Sequence, residues 1–185
     1  KRLYDMLVKV KSKGDFLTEN CEFDWIHFLE LIVENRIFLL IYQKIYNYIP
    51  KDFCNIYNRN KAYIINMIKM EKNMLKEVTE YAHVEKIRFV VLKGLPLSNF
   101  LYSNIYARQV NDIDILVEED DFSHMDYLLR TMGFDQILNV KDWDKRQFEL
   151  LNYPIMRLRA TNHLFEYIKF LPDNDIYVKI EVHKR

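Results

Sequence analysis

VVLKGLPLSNFLYSNIYARQVNDIDILV is the sequence of residues 90–117, and this stretch decides the fold. It opens with an apolar strand and then turns at a Lys-Gly pair, where Gly94 permits a sharp change of direction. Pro96 suits the first turn of a helix, which we expect to run to about Tyr102. After a polar loop, residues 113–117 form a second strand that two aspartates open. The pattern predicts a strand–turn–helix–loop–strand unit.

Helical patterns fill the chain before this unit. Apolar residues recur at helical spacing over residues 60–84, which predicts a long helix. Shorter helices are expected over residues 1–13 and after an N-cap at Asp24. Residues 51–59 are polar, and we expect them to be irregular.

Strand patterns are more frequent in the rest of the chain. IRFVVL, residues 87–92, is short, apolar and β-branched, which is typical of a buried strand. Apolar and polar residues alternate over residues 176–183, so one face of that strand belongs in a core and the other points to solvent or a cleft. We also expect a helix over 122–132, capped by Asp120 or Asp121 and ended by Gly133, and strands over 134–140 and 155–160.

These patterns predict an α+β fold in which helices flank a mixed sheet. The predicted boundary falls near residue 84, where the character of the sequence changes. An N-terminal helical region occupies residues 1–84, and an α/β core occupies residues 85–185.

The composition limits the classes of partner. Lysine plus arginine and aspartate plus glutamate both number 27, so net charge does not suggest binding to nucleic acid or to an anionic membrane. The most apolar run, residues 37–42, is too short to span a bilayer, and the start of the sequence lacks the apolar stretch of a signal peptide. Cys21 and Cys54 are far apart and fit inert thiols in a reducing compartment. We expect a cytoplasmic protein, and the abundance of Ile, Lys, Asn and Tyr hints at a bacterial source.

Two carboxylates open the second strand of the unit. Asp112 and Asp114 are two residues apart, so both side chains point to one face, roughly 6.5 to 7 Å apart. A cation relieves their repulsion, and Mg²⁺ prefers carboxylate and phosphate oxygens. Glu181, on the polar face of the last strand, supplies a third carboxylate if that strand lies beside the second. Three acids can hold two ions about 3.5 to 4 Å apart, so we expect the stretch to bind a metal-chelated nucleoside triphosphate.

The same residues carry a resemblance to a known family. Its members show a strand ending in Leu-Lys-Gly, a helix leading to a Tyr, an Arg shortly before Asp-x-Asp, and a later acid-x-His element. The matching residues here are Leu92-Lys93-Gly94, Tyr102, Arg108, Asp112-Ile113-Asp114 and Glu181-Val182-His183. Over about residues 84–185 the chain resembles the DNA polymerase beta-type nucleotidyltransferase superfamily, and more closely the bacterial uncharacterised nucleotidyltransferase family.

The resemblance implies a magnesium-dependent enzyme with a nucleotidyltransferase-like core. Such an enzyme moves a nucleoside monophosphate from a nucleoside triphosphate to an acceptor, here an unidentified hydroxyl or phosphate, and releases pyrophosphate. The resemblance assigns two metal ions to Asp112 and Asp114. It assigns Glu181 to the metal at the acceptor, with a part in removing the acceptor's proton. His183 is interpreted as a supporting or surface residue rather than as a metal ligand.

The chain departs from the superfamily at the turn, where the usual Gly-Ser is Lys93-Gly94. The Lys93 ammonium and the backbone amides at the N-terminus of the following helix can hold phosphate, and Ser98 lies within that helix. The alternative for Lys93 is a lysine at a strand end that reaches solvent. Arg108 either clamps the triphosphate or forms a salt bridge with Asp112.

Two other functions fit parts of the sequence. A glycosyltransferase uses Asp-x-Asp to chelate a nucleotide sugar, but that fold places several strands before the motif, and one precedes it here. A catalytically silent module that binds a nucleotide or a protein partner is favoured by the missing Gly-Ser turn. Metal-dependent binding of triphosphates with release of pyrophosphate distinguishes the enzyme from the silent module.

Overall fold

The computed structural model describes residues 23–136, 167–174 and 176–185. Over these residues the helices are α1 (Trp25–Glu34), α2 (Phe38–Ile45), α3 (Lys51–Val84), α4 (Leu95–Tyr102) and α5 (Phe122–Thr131). The strands are β1 (Phe89–Val91), β2 (Ile113–Val117), β3 (Asp135–Gln136), β4 (Tyr167–Leu171) and β5 (Ile176–Lys184). N-terminal helices followed by strands with interspersed helices confirm the predicted α+β class.

The five strands form one mixed sheet in the order β1-β2-β5-β4-β3. β2 and β5 are parallel, whereas the other neighbouring strands pair antiparallel. β5 therefore lies beside β2, the strand that Asp112 precedes and that contains Asp114, as the hypothesis of a three-carboxylate site requires.

β5 has the predicted alternation of buried and half-buried residues. Its buried residues are Ile176, Val178, Ile180 and Val182. They pack with the apolar side of β2, with α5 and with the C-terminal half of α3 in one hydrophobic core. Because this core takes the apolar side of both strands, their polar side is left for the candidate site.

α3 begins earlier than the sequence predicts. Residues 51–59, expected to be irregular, form its first turns. Pro50 lies at the N-cap, where its missing N–H removes no helical hydrogen bond. Tyr57 is buried and its hydroxyl donates to the Trp25 carbonyl over 2.8 Å, so packing against α1 outweighs the polar composition of this segment. α3 ends at Val84, as predicted.

A second hydrophobic core joins α1, α2 and the N-terminal half of α3. The predicted N-cap of α1 is confirmed, because the Asp24 carboxylate accepts the backbone N–H of His27 over 2.8 Å. Leu95, the first residue of α4, and Val110, in the loop before β2, also pack in this core. α3 thus contributes to both cores, and the division of the chain at residue 84 stays a prediction.

Two predictions about β1 and α5 are wrong. β1 is an edge strand rather than a buried one: within the described residues only β2 pairs with it, and Val90 is 60% exposed. Asp121 does not cap α5, because its carboxylate accepts the backbone N–H of Arg88 over 3.2 Å instead. The end of α5 is as predicted, with Gly133 following at a φ of +82°.

Several expectations lie outside the described residues. These are the helix at 1–13, the strand at 155–160, the predicted third strand beyond Gln136, and Cys21. Cys54 is half-buried and forms no disulfide with any described residue. None of the described helices combines the length and the apolar character needed to cross a membrane.

Candidate active site

Asp114 and Glu181 are brought together by strand pairing. They are direct partners in the parallel register of β2 and β5. The neighbours Ile113 and Ile115 belong to the hydrophobic core, so the Asp114 side chain points to the opposite, polar side. Two of the three predicted acids therefore meet on one face of the sheet, with carboxylate oxygens within 4.8 Å of each other.

The Asp114 carboxylate is fully buried, and a lysine and a histidine lie beside it. Its Oδ1 lies 3.0 Å from Nζ of Lys93 and 3.1 Å from Nε2 of His183. Its Oδ2 has no hydrogen-bond partner among the described residues. A buried carboxylate oxygen without a donor is unfavourable, so the pair of acids requires either a shared proton or a cation.

The pKa values of Asp114 and Glu181 shift in opposite directions. Burial alone would raise the pKa of Asp114, but hydrogen bonds from Lys93, Glu181 and His183 outweigh it and hold that pKa below its usual range. Burial, together with the hydrogen bond to Asp114 and its charge, raises the pKa of Glu181. The hydrogen bond to Asp114 also raises the pKa of Lys93, which keeps its charge. Of the two acids, Glu181 therefore binds a proton more strongly, and Asp114 loses its proton more readily.

Asp112 lies just before β2 and has a different partner. Its Oδ2 is 3.7 Å from Nζ of Lys179, because the register that pairs Ile113 with Ile180 also places the preceding residues opposite each other. The described ligand atoms that lie within 4.8 Å of one another belong to Asp114, Glu181 and His183, and Asp112 is not among them. The role of Asp112 as a metal ligand stays a prediction.

The Lys93-Gly94 turn is fixed against the start of β2. The N–H of Leu92 donates to the Asp114 carbonyl over 3.0 Å, which places Lys93 beside the Asp114 carboxylate. Gly94 has a φ of +72°, and a Cβ at this position would lie 3.1 Å from Cγ1 of Val110. A residue with a side chain is therefore unfavourable here, and the close approach holds the N-terminus of α4 near the acids.

Ser98 and Arg108 were both predicted to bind the nucleotide. Ser98 is buried, and its hydroxyl donates to the carbonyls of Asn104 over 3.0 Å and Ile105 over 3.3 Å. These bonds hold the loop after α4, so they give no support to a nucleotide contact by Ser98. Arg108 is half-buried, and among the described residues it forms no ion pair with Asp112. The predicted salt bridge is therefore absent from the structure, and the clamp on the triphosphate stays a prediction.

Three residues beside the acids had no assigned function. Lys179 was part of the polar face predicted for β5, so the alternation there was the signal for it. His183 was interpreted as a supporting or surface residue, yet its side chain is 15% exposed and Nε2 contacts Asp114. Glu71 lies in α3 among the buried positions of the helical stripe, one turn after Ile68. Its position in that stripe was the only sign that it is buried.

Glu71 is a buried acid close enough to Asp112 to be influenced by its charge. Burial, and then the negative charge of Asp112, raises the pKa of Glu71 to about 9. Its Oε2 has no hydrogen-bond partner among the described residues. The carboxyl is therefore protonated and neutral near pH 7, which is the form that burial favours.

The donor set on the polar face fits a divalent cation. Two carboxylates and one imidazole nitrogen lie within 4.8 Å of one another, and these are ligand types of divalent metals in proteins. Lys93 is 53% exposed, so its long side chain is free to move away from Asp114 when another cation binds.

Comparison with protein families identifies one match. The model of the family described as "Uncharacterised nucleotidyltransferase" matches residues 21–185, which include the described helices and every residue of the site. No curated protein and no solved structure matches the chain.

Proposed function

The chain belongs to the uncharacterised nucleotidyltransferase family, and we propose that it moves a nucleoside monophosphate from a nucleoside triphosphate to an unidentified hydroxyl or phosphate acceptor. An acceptor oxygen forms a bond to the α-phosphorus, and the bond from that phosphorus to the oxygen of the β-phosphate breaks. The electron pair of the broken bond leaves with pyrophosphate. When the acceptor is a hydroxyl, its proton passes to a base.

The pairing of Asp114 with Glu181 carries this proposal. Side by side in the register of β2 and β5, and with His183 beside them, they form the set of ligands for a divalent cation. We propose Mg²⁺ as that cation, because phosphate and carboxylate oxygens are its preferred ligands. When bound, the cation stabilises the charge of the transferring phosphoryl group and of the leaving pyrophosphate.

Glu181 is the proposed base. Burial and the neighbouring Asp114 raise its pKa, so its carboxylate binds a proton more strongly than that of an ordinary glutamate. A base with a pKa closer to neutral pH takes a proton from a hydroxyl more effectively. Asp114 keeps its negative charge beside it, since Lys93 and His183 both contact Oδ1.

The turn after β1 is the proposed binding site of the triphosphate. The Lys93 ammonium lies at the acids, and it can exchange Asp114 for a phosphate oxygen when a nucleotide enters. The backbone amides after Gly94, at the N-terminus of α4, favour the same negative charge. Arg108, in the loop before β2, is the proposed clamp on the triphosphate.

A cytoplasmic location and a bacterial source stay predictions, and the resemblance implies a second ion as well. The second ion requires the Asp112 carboxylate, which Lys179 contacts.

A screen of the four ribonucleoside triphosphates tests the proposal. Each is incubated with the protein, Mg²⁺ or Mn²⁺, and a panel of small-molecule and protein acceptors, and products are read by mass spectrometry with pyrophosphate measured in parallel. We expect an acceptor whose mass rises by one nucleoside monophosphate, together with an equal amount of pyrophosphate. Triphosphate binding without pyrophosphate release or product, for every nucleotide and acceptor, would contradict enzymatic transfer.

That negative outcome would favour the catalytically silent module. One observation supports this alternative: a lysine ammonium lies beside each aspartate, Lys93 at Asp114 and Lys179 at Asp112, and can neutralise its charge in place of a metal ion. Family membership leaves the glycosyltransferase alternative without support.

A further inference from the structure

We propose that this chain binds one divalent cation rather than two, and that the ammonium group of Lys179 takes the place of a second cation beside Asp112. The inference rests on the proposed function in one respect, because it assumes that the acids on the polar face bind a cation.

Lys179 is held in place beside Asp112. Its side chain extends from β5 on the same face as Glu181 and is 14% exposed. Nζ lies 3.7 Å from Oδ2 of Asp112, whose side chain is itself 21% exposed. A second divalent ion at Asp112 would lie next to this ammonium, and like charges at such a distance in a partly buried site repel each other strongly. Because little of the Lys179 side chain reaches solvent, its ammonium moves away from Asp112 less readily than that of an exposed lysine.

Lys93 differs from Lys179 in this respect. It contacts Asp114 at 3.0 Å, but it belongs to the turn after β1 and is 53% exposed. Its ammonium therefore reaches water, or a phosphate, at little desolvation cost when a cation approaches Asp114. One lysine is displaceable and the other is not, so the two aspartates are not equivalent as metal ligands.

The remaining ligands are sufficient for one cation. Asp114, Glu181 and His183 offer two oxygens and one nitrogen within 4.8 Å of one another, and Asp112 is outside this set. Oδ2 of Asp114 is fully buried and has no hydrogen-bond partner among the described residues, which marks the point where a cation is needed. A set that includes imidazole suits Mn²⁺ as well as Mg²⁺, so Mn²⁺ can serve as the probe.

Counting bound Mn²⁺ tests the inference without any need for activity. The full chain, stripped of metal, is titrated with Mn²⁺, and free Mn²⁺ is measured by electron paramagnetic resonance. We expect one tight site per chain for the wild type. For Lys179→Ala, which frees the Asp112 carboxylate, we expect a second site at least tenfold tighter than any second site of the wild type. Lys184→Ala, on the same strand but beside Glu119, is the matched control and should keep one site.

Two tight sites in the wild type, or one unchanged site in Lys179→Ala, would overturn the inference. If circular dichroism shows that Lys179→Ala does not fold, Lys179→Gln replaces it. The number of Mn²⁺ sites in the wild type still tests whether the chain binds one cation rather than two. Pyrophosphate release is measured on the same samples. Two Mn²⁺ sites together with pyrophosphate release would leave the proposed function intact and contradict the inference. One Mn²⁺ site without pyrophosphate release from any triphosphate would support the inference and contradict the proposed function.

Discussion

Asp114 and Glu181 are direct partners across the parallel strands β2 and β5, and their carboxylate oxygens lie within 4.8 Å of each other on the polar side of the sheet. The pair depends on a long connection between the two strands, residues 118–175, because Glu181 lies beside Asp114 only when the last strand has this position and register. A shift of one residue would turn Glu181 into the hydrophobic core. The two carboxylates of the site therefore meet only when β5 has paired with β2 in this register.

Replacing Glu181 by Gln should slow chemistry more than it weakens nucleotide binding. Glutamine keeps the size of the side chain but cannot accept a proton, and loss of a general base lowers rates by about 10²- to 10⁴-fold. Single-turnover kinetics and calorimetric binding of the triphosphate measure the two effects separately. Glu119→Gln, an exposed acid beside Lys184, is the control. A large loss of affinity with an unchanged single-turnover rate would contradict the role given to Glu181.

Replacing Glu71 by Gln should stabilise the protein more at high pH than at low pH. Burial and Asp112 raise the pKa of Glu71 from 4.5 to about 9, so between these values the folded chain keeps a proton that the unfolded chain releases. The free energy of unfolding of the wild type therefore falls as pH rises from about 4.5 to about 9, and glutamine removes this dependence. One pKa unit corresponds to about 1.4 kcal/mol, so the relative gain is on the order of a few kcal/mol.

Urea denaturation at pH 5, 7 and 9, in buffers without divalent metal, measures that difference. Glu80→Gln is the control, because Glu80 lies in the same helix but is exposed beside Lys76. The control should keep a constant difference from wild type. A constant difference for Glu71→Gln as well would show that Glu71 ionises normally in the folded chain.

Replacing Gly94 by Ala should destabilise the chain by about 1 to 3 kcal/mol, because the backbone conformation there disfavours a side chain. The new Cβ would also approach Cγ1 of Val110 to 3.1 Å. Gly133→Ala is the matched control: its φ is also positive, but the nearest atom, Cε of Lys169, is 3.9 Å away. Thermal unfolding of both variants measures the difference. Equal losses of stability in the two variants would show that the positive φ alone causes the effect, and that the contact with Val110 does not contribute.

Local patterns were sufficient to predict most elements and the central pair of acids. The alternation in β5 gave its buried and polar faces, and the Asp-x-Asp motif at the start of β2 gave Asp114. The start of α3 was missed because Tyr57 is held by α1, a tertiary contact that no local pattern contains. β1 was expected to be buried because its composition is apolar, whereas burial depends on how many neighbours a strand has in the sheet.

The contacts around the acids could not be predicted without the strand order. Lys179 could be placed on the polar face from the alternation, but its pairing with Asp112 follows from the register of β2 and β5. Ser98 was assigned to the nucleotide from its position after the turn; its hydroxyl donates to backbone carbonyls, and the nucleotide contact stays a prediction. A sequence pattern fixes which side of an element a residue occupies, whereas its partners depend on neighbouring elements.

The most direct test of the account compares pyrophosphate release by the wild type and by Asp114→Asn, with a nucleoside triphosphate, a divalent cation and an acceptor identified by the screen. Asparagine keeps the shape of the buried side chain but removes the charge that Lys93 and a cation require. Asp120→Asn, an exposed aspartate outside the site, is the control, and circular dichroism checks that each variant is folded. We expect release by the wild type and the control, and none above background by Asp114→Asn. Equal release by folded Asp114→Asn and wild type would contradict this expectation.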